Sequence, residues 1–353
     1  MSVRQQPDQP GIGRAVTDTD GAAVLAPLGE EDTVGVGPYR LAARRLRRNR
    51  TALAFGAMFI VIVIASLLAP LYAGHIAHTG PNVTHISDVI KVGGKKVNVV
   101  SLTGVPIGPT WHSRFFFGAD SEGRDSAVRL LYGGRNSIEI GVLATVITMV
   151  LAALVGIVSG YFRGWVDGLL SRLLDLIWAY PALLLGIALG VTLALGGISI
   201  GPLHVRGSSD FIPALVIGVV YIPYVARPIR GQVLTMRERE YVDAARCLGY
   251  GHIRIMATEI FPNLFSTMVV FVALQLAQSI VLEASLSFLG AGVQAPNASW
   301  GTMISNGITL ITAAPHLVLV PGLTLVAAVL GVNVFGDGLR SALDPRARIR
   351  IER

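Results

Sequence analysis

The chain alternates long apolar stretches with short polar ones, and this pattern predicts its architecture. Six apolar stretches reach the length of about 20 residues that is needed to cross the roughly 30 Å hydrocarbon core of a bilayer. They are Ala52 to Leu71, Ile138 to Gly160, Leu169 to Leu195, Phe211 to Ile229, Leu264 to Phe288 and Pro315 to Phe335. The pattern therefore predicts an all-α membrane protein with six transmembrane helices.

The polar stretches between these helices predict the domain organisation. Residues 1–50 form a basic tail that we expect to be largely disordered, because it is rich in glycine, proline and acids and has no apolar period before residue 38. Residues 51–71 are the first membrane anchor. Residues 72–137 form a lobe, in which Val92 to Val100 alternates around Gly93 and Gly94 as in a β-hairpin. Residues 138–336 hold the other five helices, with a polar loop at 230–263, and residues 337–353 form a second basic tail.

Composition and charge narrow the class of protein and orient it. A mean hydropathy of +0.60 with 14% charged residues excludes a soluble enzyme of this length. The net charge of +7 comes largely from arginine clusters at residues 40–50, 227–254 and 340–353. Six spans place all three clusters on one side, and the positive-inside rule makes that side the cytoplasm, with both termini inside. Basicity then reflects topology and contact with membrane lipid, and no nucleic-acid partner is predicted.

Small residues predict where the helices approach one another. The second span has small residues at every fourth position, and the third span repeats the pattern. They are Ala144, Thr148, Ala152, Gly156 and Gly160, and then Gly186, Gly190 and Ala194. Small side chains allow transmembrane helices to pack closely, so both rows are interpreted as packing seams.

The polar stretch from Glu240 to Asn263 predicts a docking surface. One apolar stripe at helical spacing contains Tyr241, Ala244, Ala245 and Leu248, and a second contains Ile253, Met256, Ala257 and Ile260. Gly249 can end the first helix in a left-handed cap, and Pro262 is expected to end the second. Two short amphipathic helices hinged at a glycine, with an alanine pair at the contact face, suit close approach of another protein.

Several stretches resemble one transport family. The order Asp243-Ala244-Ala245, Gly249, then Ile260-Phe261-Pro262-Asn263 resembles the EAA loop of ABC-importer permeases, with Asp243 and Phe261 where glutamate and leucine are usual. The stretches LRRNRTALAFGAMFIVIVIASLLAPLY, FGADSEGRDSAVRLLYGGRNSIEIG and SLSFLGAGVQAPNASWGTMISNG resemble the C-type permease subunit of dipeptide and oligopeptide (peptide/nickel) ABC importers. The resemblance covers most of Arg40 to Leu343, although the lobe is longer than is usual in the family.

The resemblance implies a fold, a function and partners. It implies a six-helix type I ABC-importer permease with an extracytoplasmic lobe, in the bacterial cytoplasmic membrane. A homologous second permease would complete the path, and an extracytoplasmic binding protein would deliver di- or oligopeptides. Nickel and glutathione are the alternative cargoes. The residues that would seat in a cleft of the ATPase subunit are Glu240, Asp243, Ala244, Ala245, Gly249, Ile260 and Pro262.

The chain is not predicted to be an enzyme. It contains no G-x-x-x-x-G-K-[ST] phosphate-binding loop, so ATP and Mg²⁺ should be bound by a separate ATPase. The run Gly197 to Gly201, with His204 behind it, matches the G-x-S-x-G nucleophile elbow but lies in a loop between spans. An intramembrane protease would instead need its serine and histidine on facing spans. A secondary transporter would carry more charges inside the membrane.

A few ionisable residues remain as candidates. Glu283 lies within the fifth span, where a carboxylate costs about 2.5–3.5 kcal/mol, so it should line or gate the translocation path or hydrogen-bond between helices. Asp175 and Arg172, near the inner end of the third span, are expected to form an i, i+3 pair or to extend to the membrane interface. No metal site is predicted, because His75, His78 and His85 in the lobe are only a weak nickel signal.

Overall fold

The computed structural model describes residues 38–200 and 203–343, and α-helices form most of it. The helices are α1 (Pro38–Arg48), α2 (Arg50–Leu67), α3 (Ala69–Tyr72), α4 (Ser126–Phe162), α5 (Gly164–Trp178), α6 (Ala182–Gly196), α7 (Phe211–Val220), α8 (Ile222–Met236), α9 (Glu240–Cys247), α10 (His252–Ile255), α11 (Phe261–Phe288), α12 (Trp300–Gly307) and α13 (His316–Leu343). Two hairpins pair β1 (Val89–Val92) with β2 (Lys95–Asn98) and β3 (Ile198–Ile200) with β4 (Leu203–Val205). Turns of π-helix occupy Ala73–Ala77 and Met256–Ile260, and a 3₁₀ turn occupies Ile308–Leu310.

The structure describes only part of the two predicted tails. The predictions for residues 1–37 and 344–353 lie outside the described residues. Residues 38–48 of the predicted disordered tail form α1, which packs against α2 and α13. Alanine, leucine and arginine in this segment all favour a helix, and the contact with α13 adds tertiary support.

Two of the six predicted spans are not single helices. Within the described residues, four helices are long and apolar enough to cross a membrane: Arg50–Leu67, Ser126–Phe162, His252–Phe288 and His316–Leu343. The predicted third span is bent by 88° between α5 and α6, and the predicted fourth by 44° between α7 and α8. The count is six only if each bent pair is one span.

Proline explains the position of both bends. Pro181 precedes α6 in an extended conformation, with φ −55° and ψ 129°, and its ring disfavours helical geometry at Tyr180. Pro223 lies in the first turn of α8, where its missing N–H leaves no intrahelical hydrogen bond unmade. The apolar pattern predicts one span across each bend, because the apolar stretch continues through the proline.

The small-residue seams pack as predicted. The five seam residues of α4 are all buried. A Cβ added at Gly156 would lie 2.8 Å from the carbonyl oxygen of Ala226 on α8, so α4 and α8 are in backbone contact there. A Cβ at Gly190 on α6 would lie 2.5 Å from the carbonyl oxygen of Ala291. Close approach through small residues thus holds the bundle together where the hydrophobic effect gives little force.

The segment between α3 and α4 contains the predicted hairpin. Val92 pairs with Lys95 across Gly93 and Gly94, whose φ values of 58° and 81° are those of a tight hairpin turn. Helix α4 begins at Ser126, twelve residues before the predicted start of the second span at Ile138, because Asp125 caps it by accepting from the N–H groups of Ala127 and Val128.

Ion pairs join α5 to α8 at one end of the bundle. Arg230 donates both guanidinium hydrogen bonds to Asp167 at 2.6 Å. The predicted pairing of Asp175 with Arg172 is wrong, because Asp175 accepts from Arg227 instead. The Arg227 guanidinium also lies 4.1 Å from the centre of the Trp178 ring. Asp175 therefore pairs with Arg227 on the neighbouring helix α8, whose guanidinium also contacts the Trp178 ring, and not with Arg172 at i−3.

Candidate functional site

The loop from Glu240 to Asn263 is built around a glycine-capped helix. Helix α9 ends at Cys247, and Gly249 follows in the left-handed conformation with φ 76°. The Tyr250 N–H donates to the Ala245 carbonyl at 3.1 Å, and the Gly249 N–H donates to the Arg246 carbonyl at 2.9 Å. These two bonds form a Schellman motif, so the predicted glycine cap is confirmed.

The inward face of the loop differs from the predicted stripes. Val242, Ala245, Ile255 and Ile260 are buried and share one apolar cluster with α4, α5 and α8. Ala245 was expected at the contact face with another protein, but only 4% of it is exposed because it packs within this chain. The residues of the predicted α9 stripe therefore do not share one face. Val242, which was not part of that stripe, is buried beside Ala245.

The outward face of the loop is apolar and exposed. It contains Tyr241 and Ala244 of α9 and Leu248, the residue that follows the helix, which is 72% exposed. Ile253, the second residue of α10, is 80% exposed. Partial burial raises the pKa of the Tyr241 phenol, Arg239 opposes this and Glu259 reinforces it, so the ring stays neutral at physiological pH. These exposed apolar side chains make the outward face the candidate docking surface of the loop.

Charged groups border this outward face. Glu240 is exposed at the start of α9. Asp243 is also exposed and accepts a hydrogen bond from Arg246 at 2.7 Å across one helical turn. Such a pair is worth at most about 1 kcal/mol at a surface, so its charges remain available to another protein.

The second half of the loop is continuous with a membrane helix. Pro262 was expected to close the loop, but it lies exposed in the first turn of α11, and the chain is helical from His252 to Phe288. The π turn at Met256–Ile260 accommodates the proline, which has no N–H to donate. The Asn263 side chain donates to the Glu259 carbonyl at 2.6 Å in that region. Helix α10 is therefore continuous with α11 through this turn.

One aromatic side chain of α4 fastens the loop to the bundle. The Tyr161 hydroxyl and His252 Nδ1 form a hydrogen bond of 3.0 Å, and Arg237 donates to the Tyr161 carbonyl. The Arg246 guanidinium lies 6.0 Å from the Tyr161 ring. These contacts join residues up to 91 positions apart, so no local pattern in the sequence predicted them.

Glu283 is the most buried ionisable candidate. Its side chain is fully buried, and Oε1 accepts from the Ser287 hydroxyl at 2.6 Å. Ser287 also accepts from the Val293 N–H at 3.0 Å, which ties the segment after α11 to the helix. The hydroxyls of Ser137 and Ser299 lie near the same carboxyl, but Oε2 has no hydrogen-bond partner among the described residues. The carboxyl thus lies where α4, α11 and the start of α12 meet.

The other candidate motifs do not form catalytic or metal sites in the described residues. Ser199 and His204 hydrogen-bond at 2.6 Å, but they lie opposite each other in the β3–β4 hairpin and lack the strand-turn-helix geometry of a nucleophile elbow. His85 bonds to Thr79 and Asp88. Across residues 38–200 and 203–343, no group of three or more His, Cys, Asp or Glu side chains is arranged to hold a metal.

Comparison with known families gives two matches. Residues 152–349 match the family described as binding-protein-dependent transport system inner membrane component, which is more than half of the chain. Residues 37–84 match the N-terminal transmembrane domain of oligopeptide transport permease C. The two matched ranges together include the anchor helix α2 and the loop described above.

Three relatives illustrate the range of the similarity. A Brucella suis biovar 1 protein, provisionally named as a peptide transport system permease protein, is 35% identical over 316 residues, which are 90% of this chain and 95% of that protein. The dipeptide transport system permease protein of Alkalihalophilus pseudofirmus is 31% identical, covering 92% and 95% of the two chains. The glutathione transport system permease protein of Pectobacterium atrosepticum is 34% identical, covering 67% and 74%.

Among solved structures, the MetNI methionine ABC transporter in an inward-facing conformation gives a TM-score of 0.48 at 18% identity. The match covers 61% of this chain and 96% of that one.

Replacing Gly249 with valine should loosen the loop. A β-branched residue at φ 76° costs about 1–2 kcal/mol, although the space around Gly249 is open, so the strain is confined to the backbone. We expect the Tyr250 amide to exchange hydrogen roughly 5- to 30-fold faster, as measured by mass spectrometry. Gly251→Val is the matched control, because Gly251 has φ −68° and ψ 157°, which valine adopts readily. Equal exchange in the two variants would contradict the cap.

Proposed function

The chain belongs to the binding-protein-dependent transport system inner membrane component family, and from that premise we propose that it is the permease subunit of an ATP-driven importer of di- or oligopeptides. Its anchor region matches the permease C domain named for oligopeptide transport. Two relatives that cover at least 90% of the chain are named for peptide or dipeptide transport. These names support peptide as the cargo.

The observation that carries the proposal is the exposed apolar face of the capped loop. Leu248 and Ile253 project from a loop whose opposite face is buried in the bundle. We propose that this face seats in a cleft of the importer's ATPase subunit, with Glu240 and Asp243 at its rim. Burying two such side chains in a partner would contribute several kcal/mol, since a fully buried leucine or isoleucine contributes about 1.5–3 kcal/mol.

Coupling would follow from the continuity of the helix. Closure of the ATPase pair on ATP would move the loop as a rigid body, because the cluster beneath it and the Tyr161 hydrogen bond leave it little internal freedom. The helix from His252 to Phe288 would carry that movement into the membrane. The path would then switch between outward and inward access. ATP and Mg²⁺ act on the ATPase, and this chain supplies the lever.

The remaining partners and the orientation complete the proposal. The loop and both termini would face the cytoplasm of the bacterium, and the β1–β2 lobe would face outwards, towards a binding protein that delivers the cargo. A homologous second permease would form the other half of the path. The exposed apolar side chains of α5 and α6, such as Leu173, Leu176 and Leu184, are available for lipid or for that subunit.

Glutathione is the alternative cargo that a specific observation favours. The Pectobacterium atrosepticum relative named for glutathione transport is 34% identical over 236 residues. Glutathione is itself a tripeptide, so a path that admits small peptides would also admit it. Nickel import is a further alternative within the resemblance.

Glu283 would act on the path through packing at the outer end of the helices. We propose that its carboxyl is a clasp that holds the segment after α11 against α11 through the Ser287 hydroxyl, close to the Ser137 hydroxyl of α4. A clasp needs hydrogen bonds and no charge, whereas a path-lining carboxylate needs its charge.

Substituting the exposed face should separate docking from folding. Leu248→Glu and Ile253→Glu are each expected to weaken binding of the ATPase subunit at least tenfold, because a carboxylate would be buried in an apolar cleft. Binding is measured by titrating purified ATPase subunit onto the permease in nanodiscs. Leu102→Glu is the control, since Leu102 is fully exposed in the lobe and far from the loop in sequence. Wild-type ATPase affinity in both loop variants would sink the docking proposal.

Substituting Glu283 separates the clasp from a charged path. Glu283→Gln keeps a hydrogen-bonding side chain of the same size, and we expect more than half of the wild-type peptide uptake in proteoliposomes. Glu283→Leu removes the hydrogen bonds and should reduce the thermal stability of the permease by several degrees. Loss of uptake in the Gln variant with unchanged stability would favour the charged path instead.

A further inference from the structure

A patch of exposed arginines lies where the chain enters its first membrane helix. Residues 38–50 contain six arginines and no aspartate or glutamate. The side chains of Arg44, Arg47, Arg48 and Arg50 are exposed. Within residues 38–200 and 203–343, none of these four forms an ion pair. The coupling and transport functions proposed above do not use this patch.

Helix geometry gathers the cations on one side of α1. At about 100° per residue, Arg44, Arg47 and Arg48 fall within an arc of about 100°, and Leu46 falls on the opposite side. Leu46 is half-buried near Gly338 of α13. The helix is therefore fixed by its apolar side, and its arginine side faces away from the bundle. The last turns of α13 add exposed Asp337 and Arg340, whose charges cancel.

The position of α1 beside α2 indicates which kind of molecule its arginines contact. Only Asn49 separates α1 from α2, and the Asn49 side chain caps α2 by accepting from the Ala52 N–H at 3.0 Å. Helix α2 exposes apolar side chains such as Ile60, Val61 and Ile64, which are 50–64% exposed. The arginines thus lie within a few residues of the apolar span, at the depth of the phosphate groups of a bilayer.

We propose that the α1 patch, defined by Arg44, Arg47, Arg48 and Arg50, is a binding site for the headgroups of anionic phospholipids. Arginine forks match phosphate oxygens in a bidentate geometry, and the low polarity of the interface strengthens each contact. A bound lipid would also fill the angle between α1 and the membrane surface. It would thereby fix α1 against α13, the helix that packs along α2.

The test is a lipid titration of the purified permease in detergent. Thermal stability is measured as dioleoyl phosphatidylglycerol is added, and dioleoyl phosphatidylcholine is added in parallel. We expect phosphatidylglycerol to stabilise the wild type at concentrations at least tenfold lower than phosphatidylcholine. The triple variant Arg44→Gln/Arg47→Gln/Arg48→Gln should lose this preference, since each basic residue contributes about fivefold in affinity at an anionic surface.

Two controls make the result specific. Arg172→Gln/Arg206→Gln/Lys96→Gln removes three exposed charges elsewhere and should keep the preference. Arg44→Lys/Arg47→Lys/Arg48→Lys keeps the charge and should retain most of it, which also shows that the helix still folds. The proposal is overturned if the glutamine variant keeps the wild-type preference, if the control triple loses it equally, or if the wild type does not distinguish the two lipids.

Discussion

The structure of the loop from Glu240 to Asn263 depends on the apolar cluster that lies beneath it. Val242, Ala245, Ile255 and Ile260 fasten the loop to the ends of α4, α5 and α8. A loop attached only at its ends would bend under an applied force. A loop that is packed through four buried side chains and closed by a Schellman motif would move as a unit. The same packing turns Leu248 and Ile253 outwards. The packing of the loop and the exposure of the face that we propose for docking therefore have one origin.

The membrane part of the chain follows a different physical rule. Lipid removes most of the hydrophobic force between helices, so the bundle relies on close contact at small residues, as where Gly156 meets the Ala226 carbonyl. Polar groups are tolerated where they find partners, as Thr148 does in donating to the Gly218 carbonyl at 3.0 Å. Glu283 meets this rule with one carboxyl oxygen and leaves the other without a partner among the described residues.

Local chemistry predicted much of the fold and some of the site. The long apolar helices, the Gly93-Gly94 hairpin and the Gly249 cap depend on residues adjacent in sequence, and each was predicted. The 88° bend at Pro181 was not, because apolarity continues through the proline and conceals it. Ala245 was assigned to the wrong face, since neighbours on α4 and α8 decide which side of an apolar stripe is buried. The Arg227–Asp175 pair joins residues 52 apart, beyond the reach of any helical spacing.

Cys247 allows the most direct test, because it is the one cysteine of the sequence and lies exposed at the end of α9. A membrane-impermeant maleimide is added to intact cells, to inverted vesicles, and to inverted vesicles carrying the assembled ATPase. The account predicts no labelling of intact cells, rapid labelling of inverted vesicles, and at least tenfold slower labelling once the ATPase is bound. Labelling from outside the cell, or an unchanged rate with the ATPase in place, would contradict it.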